Sequence, residues 1–278
     1  MEKNMLTPKQ RRKKQIIIAV SFFVFWGLVG FGISRFFVEG PTCFDKVQNQ
    51  KEEGADCGGP CKPCPPVLEK IKVLKIKAIQ AQAQSFDLLA QIENPNQEYG
   101  APQVFYQFEI FDKNGASLKK VDGSTFVFPK QTKYIIESPV NLAEVPTKVT
   151  FSIKNASWEK LLNFSNIGLE IYDKKYNEMA RGQSYFSEAS GVLENASSFD
   201  YEKVEIIVVL YDNKDDIINF ARTEQKTVRI GDKRFFKVTW KNPLKKVQKF
   251  EMEAYTNLFL DENFIKRHGT EEQFQQPY

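Results

Sequence analysis

Four cysteines are the residues of this chain best suited to chemistry, and all of them fall between Cys43 and Cys64. Their spacing, C-x13-C-x3-C-x2-C through Cys57 and Cys61, is compatible with three kinds of chemistry. An even number of clustered thiols in an oxidising compartment forms two disulfides. Three pairings exist, and the spacing does not choose among them. Four thiolates could instead hold a zinc ion. Cys61-Lys62-Pro63-Cys64 also has the C-x-x-C form of thiol–disulfide oxidoreductases. That chemistry relies on a helix N-terminus to acidify the first thiol, whereas Pro60, Pro63, Pro65 and Pro66 oppose a continuing helix here. The segment is too short to build an apolar core, so crosslinks are expected to hold it together.

Oxygen donors accompany the thiols. Asp45, Asn49, Glu53 and Asp56 could offer ligands to a calcium ion, although solvated acids beside a glycine turn explain the same residues more simply. Elsewhere catalytic signals are sparse. The only histidine is His268, in a polar C-terminal stretch with little to hold it rigid. No phosphate-binding loop, dinucleotide fingerprint or H-E-x-x-H occurs. The expectation is a non-enzymatic chain that needs no cofactor.

The cysteines follow an uncharged run, QIIIAVSFFVFWGLVGFGIS, between Lys14 and Arg35. As a helix, Ile16 to Ser34 spans about 28 Å, close to the hydrocarbon thickness of a bilayer. The run lacks the polar face of a core helix and the small-residue cleavage site of a signal peptide. Residues 15–38 are therefore expected to cross the membrane and to contact lipid. Arg11, Arg12, Lys13 and Lys14 abut the run, which keeps the tail 1–14 on the cytoplasmic side and sends the C-terminal body out. Gly27, Gly30 and Ser34 share a helix face on which a homodimer could form. The chain has 39 Lys and Arg against 35 Asp and Glu, but the basic excess belongs to that tail. The body has no general electrostatic reason to bind nucleic acid.

The stretch CFDKVQNQKEEGADCGGPCKPC resembles a short motif repeated across extracellular and cell-surface proteins. Cys43, Asp45, Asn49, Glu53, Asp56, Cys57, Gly58, Gly59, Cys61 and Cys64 fall in its register. The resemblance implies a disulfide-stabilised surface module over residues 39–66 and carries no activity with it.

Beyond Pro66 the chain reads as strands. Two stretches about 100 residues apart are alike: SFDLLAQIENPNQ, VFYQFEIFDKNG and FVFPKQTKYIIE, then SYFSEASGVLENASS, VEIIVVLYDNKD and TVRIGDKRFFKVTW. Asn94 aligns with Asn195, and Phe111-Asp112 with Tyr211-Asp212. Val104, Tyr106, Phe108 and Ile110 alternate with Phe105, Gln107, Glu109 and Phe111, the period of a strand. Val204, Ile206, Val208 and Leu210 alternate in the same way with Glu205, Ile207, Val209 and Tyr211. Each strand is followed directly by turn chemistry, at Asp112–Gly115 and Asp212–Asp215. Such units suggest antiparallel sandwiches at 67–160 and 161–260, with 261–278 as a loose polar tail. Asn155, Asn163 and Asn195 begin N-x-S sequons, which matter only in a glycosylating host.

This pattern resembles the FxLYD family and the water-stress type of late-embryogenesis-abundant domain. Gly191-Val-Leu-Glu-Asn195 and Leu210-Tyr211-Asp212 fit it closely. The first copy departs, with Leu88 or Ala90 where glycine is usual and Ile110-Phe111-Asp112 at the turn. The resemblance implies a mainly β chain with two tandem immunoglobulin-like antiparallel sandwiches and no general catalytic site. The expected protein is thus a single-pass plasma-membrane chain of a bacterial envelope. Its extracytoplasmic body would bind or scaffold a surface protein or polymer. The alternative is an extracytoplasmic thiol–disulfide redox protein using Cys61 and Cys64.

Overall fold

The computed structural model describes residues 8–37, 42–161, 164, 167–180 and 184–264. Asn163, His268 and 265–278 of the expected tail lie outside the described residues. The chain divides into two units, Met1–Val67 and Leu68–Tyr278.

In the first unit, helix α1 runs from Pro8 to Phe37. Proline suits the first helical turn because its missing N–H would have no intrahelical partner there. Between Arg11 and Ile33 the helix is long and apolar enough to cross a membrane, and none of that apolar window is buried. Trp26 meets Phe22 and Phe25 edge to face, and all three rings remain open to the surroundings. Soluble helices hide one apolar stripe, whereas this one exposes apolar side chains all round, as a lipid-facing helix does. The stretch 42–67 follows without a regular strand or helix.

Among the described residues, the second unit contains twelve strands in four three-stranded antiparallel sheets, which pair into two domains. In the first domain, β1 (Lys72–Gln82), β2 (Ser85–Glu93) and β5 (Thr132–Asn141) form one sheet, ordered β1-β2-β5. The facing sheet, ordered β4-β3-β6, contains β3 (Tyr99–Phe111), β4 (Ser117–Val127) and β6 (Lys148–Lys160). Phe86, Leu88 and Ile92 of one sheet meet Val104, Phe108 and Ile110 of the other in the core.

In the second domain, β7 (Leu169–Glu178), β8 (Ser187–Asn195) and β11 (Lys233–Trp240) form the sheet β7-β8-β11. The remaining sheet, β10-β9-β12, uses β9 (Tyr201–Tyr211), β10 (Ile217–Val228) and β12 (Lys249–Tyr255). Leu193, Val204, Ile206, Val208 and Phe236 lead its core. The strand order follows the same pattern in both domains.

The aligned residues perform matching tasks. Asn94 is fully buried and donates its amide to the Tyr99 and Phe128 carbonyls at 2.7 and 2.8 Å. Asn195, equally buried, donates to Phe199 and Val228 at 2.7 and 3.1 Å. Asp112 Oδ1 accepts the N–H groups of Asn114 and Ala116 at 2.8 Å. Asp212 Oδ1 accepts those of Lys214 and Asp216 at 2.8 and 3.1 Å. The glycine difference has a physical cause as well. Gly191 pairs with Phe236, and a Cβ on it would sit 3.0 Å from that ring. Ala90 pairs with the smaller Ile135 and can keep its methyl group.

One expectation needs correction. The polar tail does not begin at Asp261, because Asp261–Asn263 form a 3-10 turn and Phe264 bridges to Tyr201. Asn263 is buried, and its Oδ1 accepts the Lys203 N–H at 3.0 Å. The sequon at Asn195 is not available to a glycan in the folded chain, since the amide that would carry it is buried and bonded to two carbonyls. Asn155, in contrast, is exposed on β6.

A third apolar cluster joins the domains. Leu89, Tyr134 and Ile136 project from the outer face of β1-β2-β5. They meet Ile207, Val209, Tyr211, Phe220 and Tyr255 from the outer face of β10-β9-β12. Strand β9 is therefore buried on both sides, which accounts for its unbroken IIVVLY run. The aligned outward positions of β3, Gln107 and Glu109, are polar and only partly buried.

Candidate functional site

The cysteine module is held together by Cys43–Cys61 and Cys57–Cys64. Among the described residues no cysteine is free. Cys61 and Cys64, neighbours in the C-x-x-C motif, are thus bonded to different partners rather than to each other. Bridged sulfurs carry no negative charge, so this oxidised state offers zinc no thiolate ligands.

Backbone geometry explains the motif's glycines. Gly58 and Gly59 have φ of 80° and 57°. A Cβ on Gly59 would lie 2.5 Å from the Lys51 carbonyl oxygen, and one on Gly58 would lie 2.6 Å from Glu53 Cβ. Lys46, Gln50, Lys51 and Asp56 also adopt positive φ, which shows how tightly the chain is folded back.

The oxygen donors weighed as possible calcium ligands make bonds within the module, and the Asn49 side-chain oxygen is buried without a hydrogen-bond partner among the described residues. Asp45 accepts the Thr42 and Val47 N–H groups at 3.0 and 2.9 Å and the Asn49 amide at 3.0 Å. These bonds, Thr42 first, hold its carboxyl below the usual carboxylate range. Asp56 accepts the Lys46 N–H with both oxygens at 3.0 Å. The Glu53 side chain covers Gly58. Asp45, Glu53 and Asp56 do not gather into one ligand cluster among the described residues.

The cluster that does form contains Cys43, Glu52 and Cys61, with ligand atoms within 4.8 Å of one another. Sequence reasoning passed over Glu52. It is buried, its Oε2 accepts the Asn49 and Asp56 N–H groups at 3.2 Å, and its Oε1 lies 3.0 Å from Cys61 Sγ. The last contact is not a hydrogen bond, because the bridged sulfur has no proton. Its only sequence signal was a second acid directly beside Glu53.

The second polar concentration lies where the two domains meet. Tyr134 and Tyr211 place their hydroxyl oxygens 2.5 Å apart, and both reach Glu251 Oε2, at 2.7 and 3.0 Å. Two protons serve three close contacts, so one phenol can donate to the other while the second donates to the carboxylate. Burial raises both phenol pKa values. Burial also pushes Glu251 up, but hydrogen bonds from Lys249, Tyr134 and Tyr211 outweigh it and hold the group below its usual value. Tyr255 accepts the Tyr134 N–H at 3.2 Å and donates to Glu253, whose pKa burial raises.

Beside this network is Lys133, only 2% exposed. Its Nζ stands 3.3 Å from the centre of the Phe126 ring and 5.0 Å from that of Tyr255. None of the ion pairs among the described residues includes it. Burial lowers its pKa to about 7, with the Glu205 charge pulling the other way. Lys133, Phe126, Glu205, Tyr255, Gln103 and Asn263 are among the residues lining a cleft of about 800 Å³ between the domains. The arrangement joins two domains through apolar contact, cation–π attraction and a buried polar knot. No nucleophile–base pair stands out in it.

The chain was compared with models of protein families and with curated protein sequences, and none of either matches it.

Proposed function

We propose that this chain is a single-pass membrane-anchored protein whose extracytoplasmic β body binds or scaffolds an envelope or cell-surface partner. The observation that carries the reading is the succession of an apolar helix exposed on every side and a module closed by two disulfides. Disulfides persist on the oxidising side of a membrane, and the basic cluster Arg11–Lys14 favours the opposite side for the N-terminus. The two signals agree on one orientation. For the body, the recurring asparagine and aspartate bonds support two duplicated immunoglobulin-like domains of the FxLYD or water-stress type. The non-enzymatic reading rests on side chains that bond to the backbone or to one another for structural ends. The crosswise pairing of Cys61 and Cys64 weighs against a C-x-x-C redox centre.

Thiol counting on intact cells with a membrane-impermeant maleimide tests this. No labelling before reduction, and labelling after it without lysis, is the expected outcome. Labelling without reductant would point to a thiol or metal-binding module. Labelling only after lysis would put the module in the cytosol and overturn the orientation.

A further inference from the structure

We propose that the cysteine module rests on the membrane surface, with Phe44 and Val47 seated among the lipid headgroups where α1 leaves the bilayer. The inference depends on the membrane-anchor reading and adds a contact surface to it. Phe44 is 85% exposed and Val47 58%. The module's own framework consists of disulfides and carboxylate-to-backbone bonds. The turn that carries Phe44 and Val47 is fixed. Asp45 takes the N–H groups of Thr42 and Val47, and Asp56 takes that of Lys46. A braced turn therefore presents a phenylalanine and a valine outward.

Chain connectivity limits what they can meet. Helix α1 ends at Phe37 and the described module resumes at Thr42. The five peptide links between those two residues reach at most about 18 Å. A headgroup zone is roughly 5–8 Å deep on each side of the hydrocarbon. Apolar side chains tethered within reach of a bilayer lower their hydration cost by entering its interface. Charge does not set the contact, since the same module carries Lys46, Lys51 and Lys62 against Asp45, Glu52, Glu53 and Asp56. The contact should then persist on zwitterionic lipid.

The test places p-benzoylphenylalanine singly at Trp26, Phe44 and Phe235 of the full chain, in nanodiscs of phosphatidylcholine. Adducts formed under ultraviolet light are identified by mass spectrometry. Phe235 is 65% exposed on β11 and serves as the reference for a side chain of the body. Lipid adducts at positions 26 and 44, several-fold above those at 235, are expected. Adducts at 26 with background at 44, or protein adducts only at 44, would overturn the surface contact and leave the anchor standing. Absence of lipid adducts at 26 would overturn the anchor and the contact together. If the disulfides fail to form in the Phe44 variant, Val47→p-benzoylphenylalanine poses the same question from the adjoining side chain.

Discussion

Asn94 and Asn195 each close a corner by donating to two carbonyls, one bond of each pair fully buried and the other partly so. Replacing either by alanine removes both of its amide bonds, at a net cost of roughly 0.5–1.5 kcal/mol for each bond lost. Asn94→Ala and Asn195→Ala should therefore lower the urea midpoint by similar amounts, as followed by circular dichroism. A loss confined to one of them would mean that the two corners are not equivalent. Lys133 works in the opposite sense. Its pKa is about 7 in the fold against an ordinary 10.5, so the unfolded chain holds more protons between those values. Stability should rise with pH across that window, by on the order of 1 kcal/mol per pH unit from this group, and be flat below it. The raised pKa of Glu253 acts in acid, and the tyrosines act beyond pH 10, so the interval from about 7 to 9 isolates the lysine. Lys133→Met should raise the Tm at neutral pH and flatten the slope. An unchanged slope would show that Lys133 is hydrated in the fold.

At the level of elements, much was legible. Alternation in VFYQFEIF and VEIIVVLY gave the central strands, and Asp112 and Asp212 announced the turns that follow them. The clustered cysteines signalled two bridges, but their pairing depends on a fold built from positive-φ residues and Glu52, which spacing does not encode. The packing of one domain on the other was also missed. Its signal was present in the apolar outward residues Ile207 and Val209, where the first domain has Gln107 and Glu109. Two-sided burial and strand alternation both yield apolar residues at every second position, so the extra set reads as emphasis until a second sheet covers it. Lys133 was illegible for a related reason, because a lysine among β residues normally marks a solvent face. The Gly191 exchange offers an element-scale test. Gly191→Ala crowds Phe236 and should cost roughly 1–3 kcal/mol, while adding Phe236→Ile recreates the Ala90–Ile135 pair. The double variant should be more stable than the two single effects added together predict, as measured by a double-mutant cycle. Strict additivity would contradict the steric account.

At the scale of the molecule, the body is two β domains joined by a small apolar face and a polar knot, and it follows an apolar helix and a disulfide-braced module along the chain. Val209→Glu places at the joint the residue type that the aligned strand carries at Glu109 and buries an unpaired charge. It should separate thermal unfolding of the body into two calorimetric transitions where the parent shows one. A single shifted transition would mean that the domains couple by another route. The central claim, an N-terminus inside and the whole body outside, is tested most directly by protease protection. Spheroplasts expressing the chain with a different epitope at each end are treated with protease before and after lysis. The account predicts loss of the C-terminal epitope with the N-terminal one retained on a short membrane-bound fragment, and loss of both after lysis. Survival of the C-terminal epitope while the N-terminal one is digested, or protection of both until lysis, would contradict it.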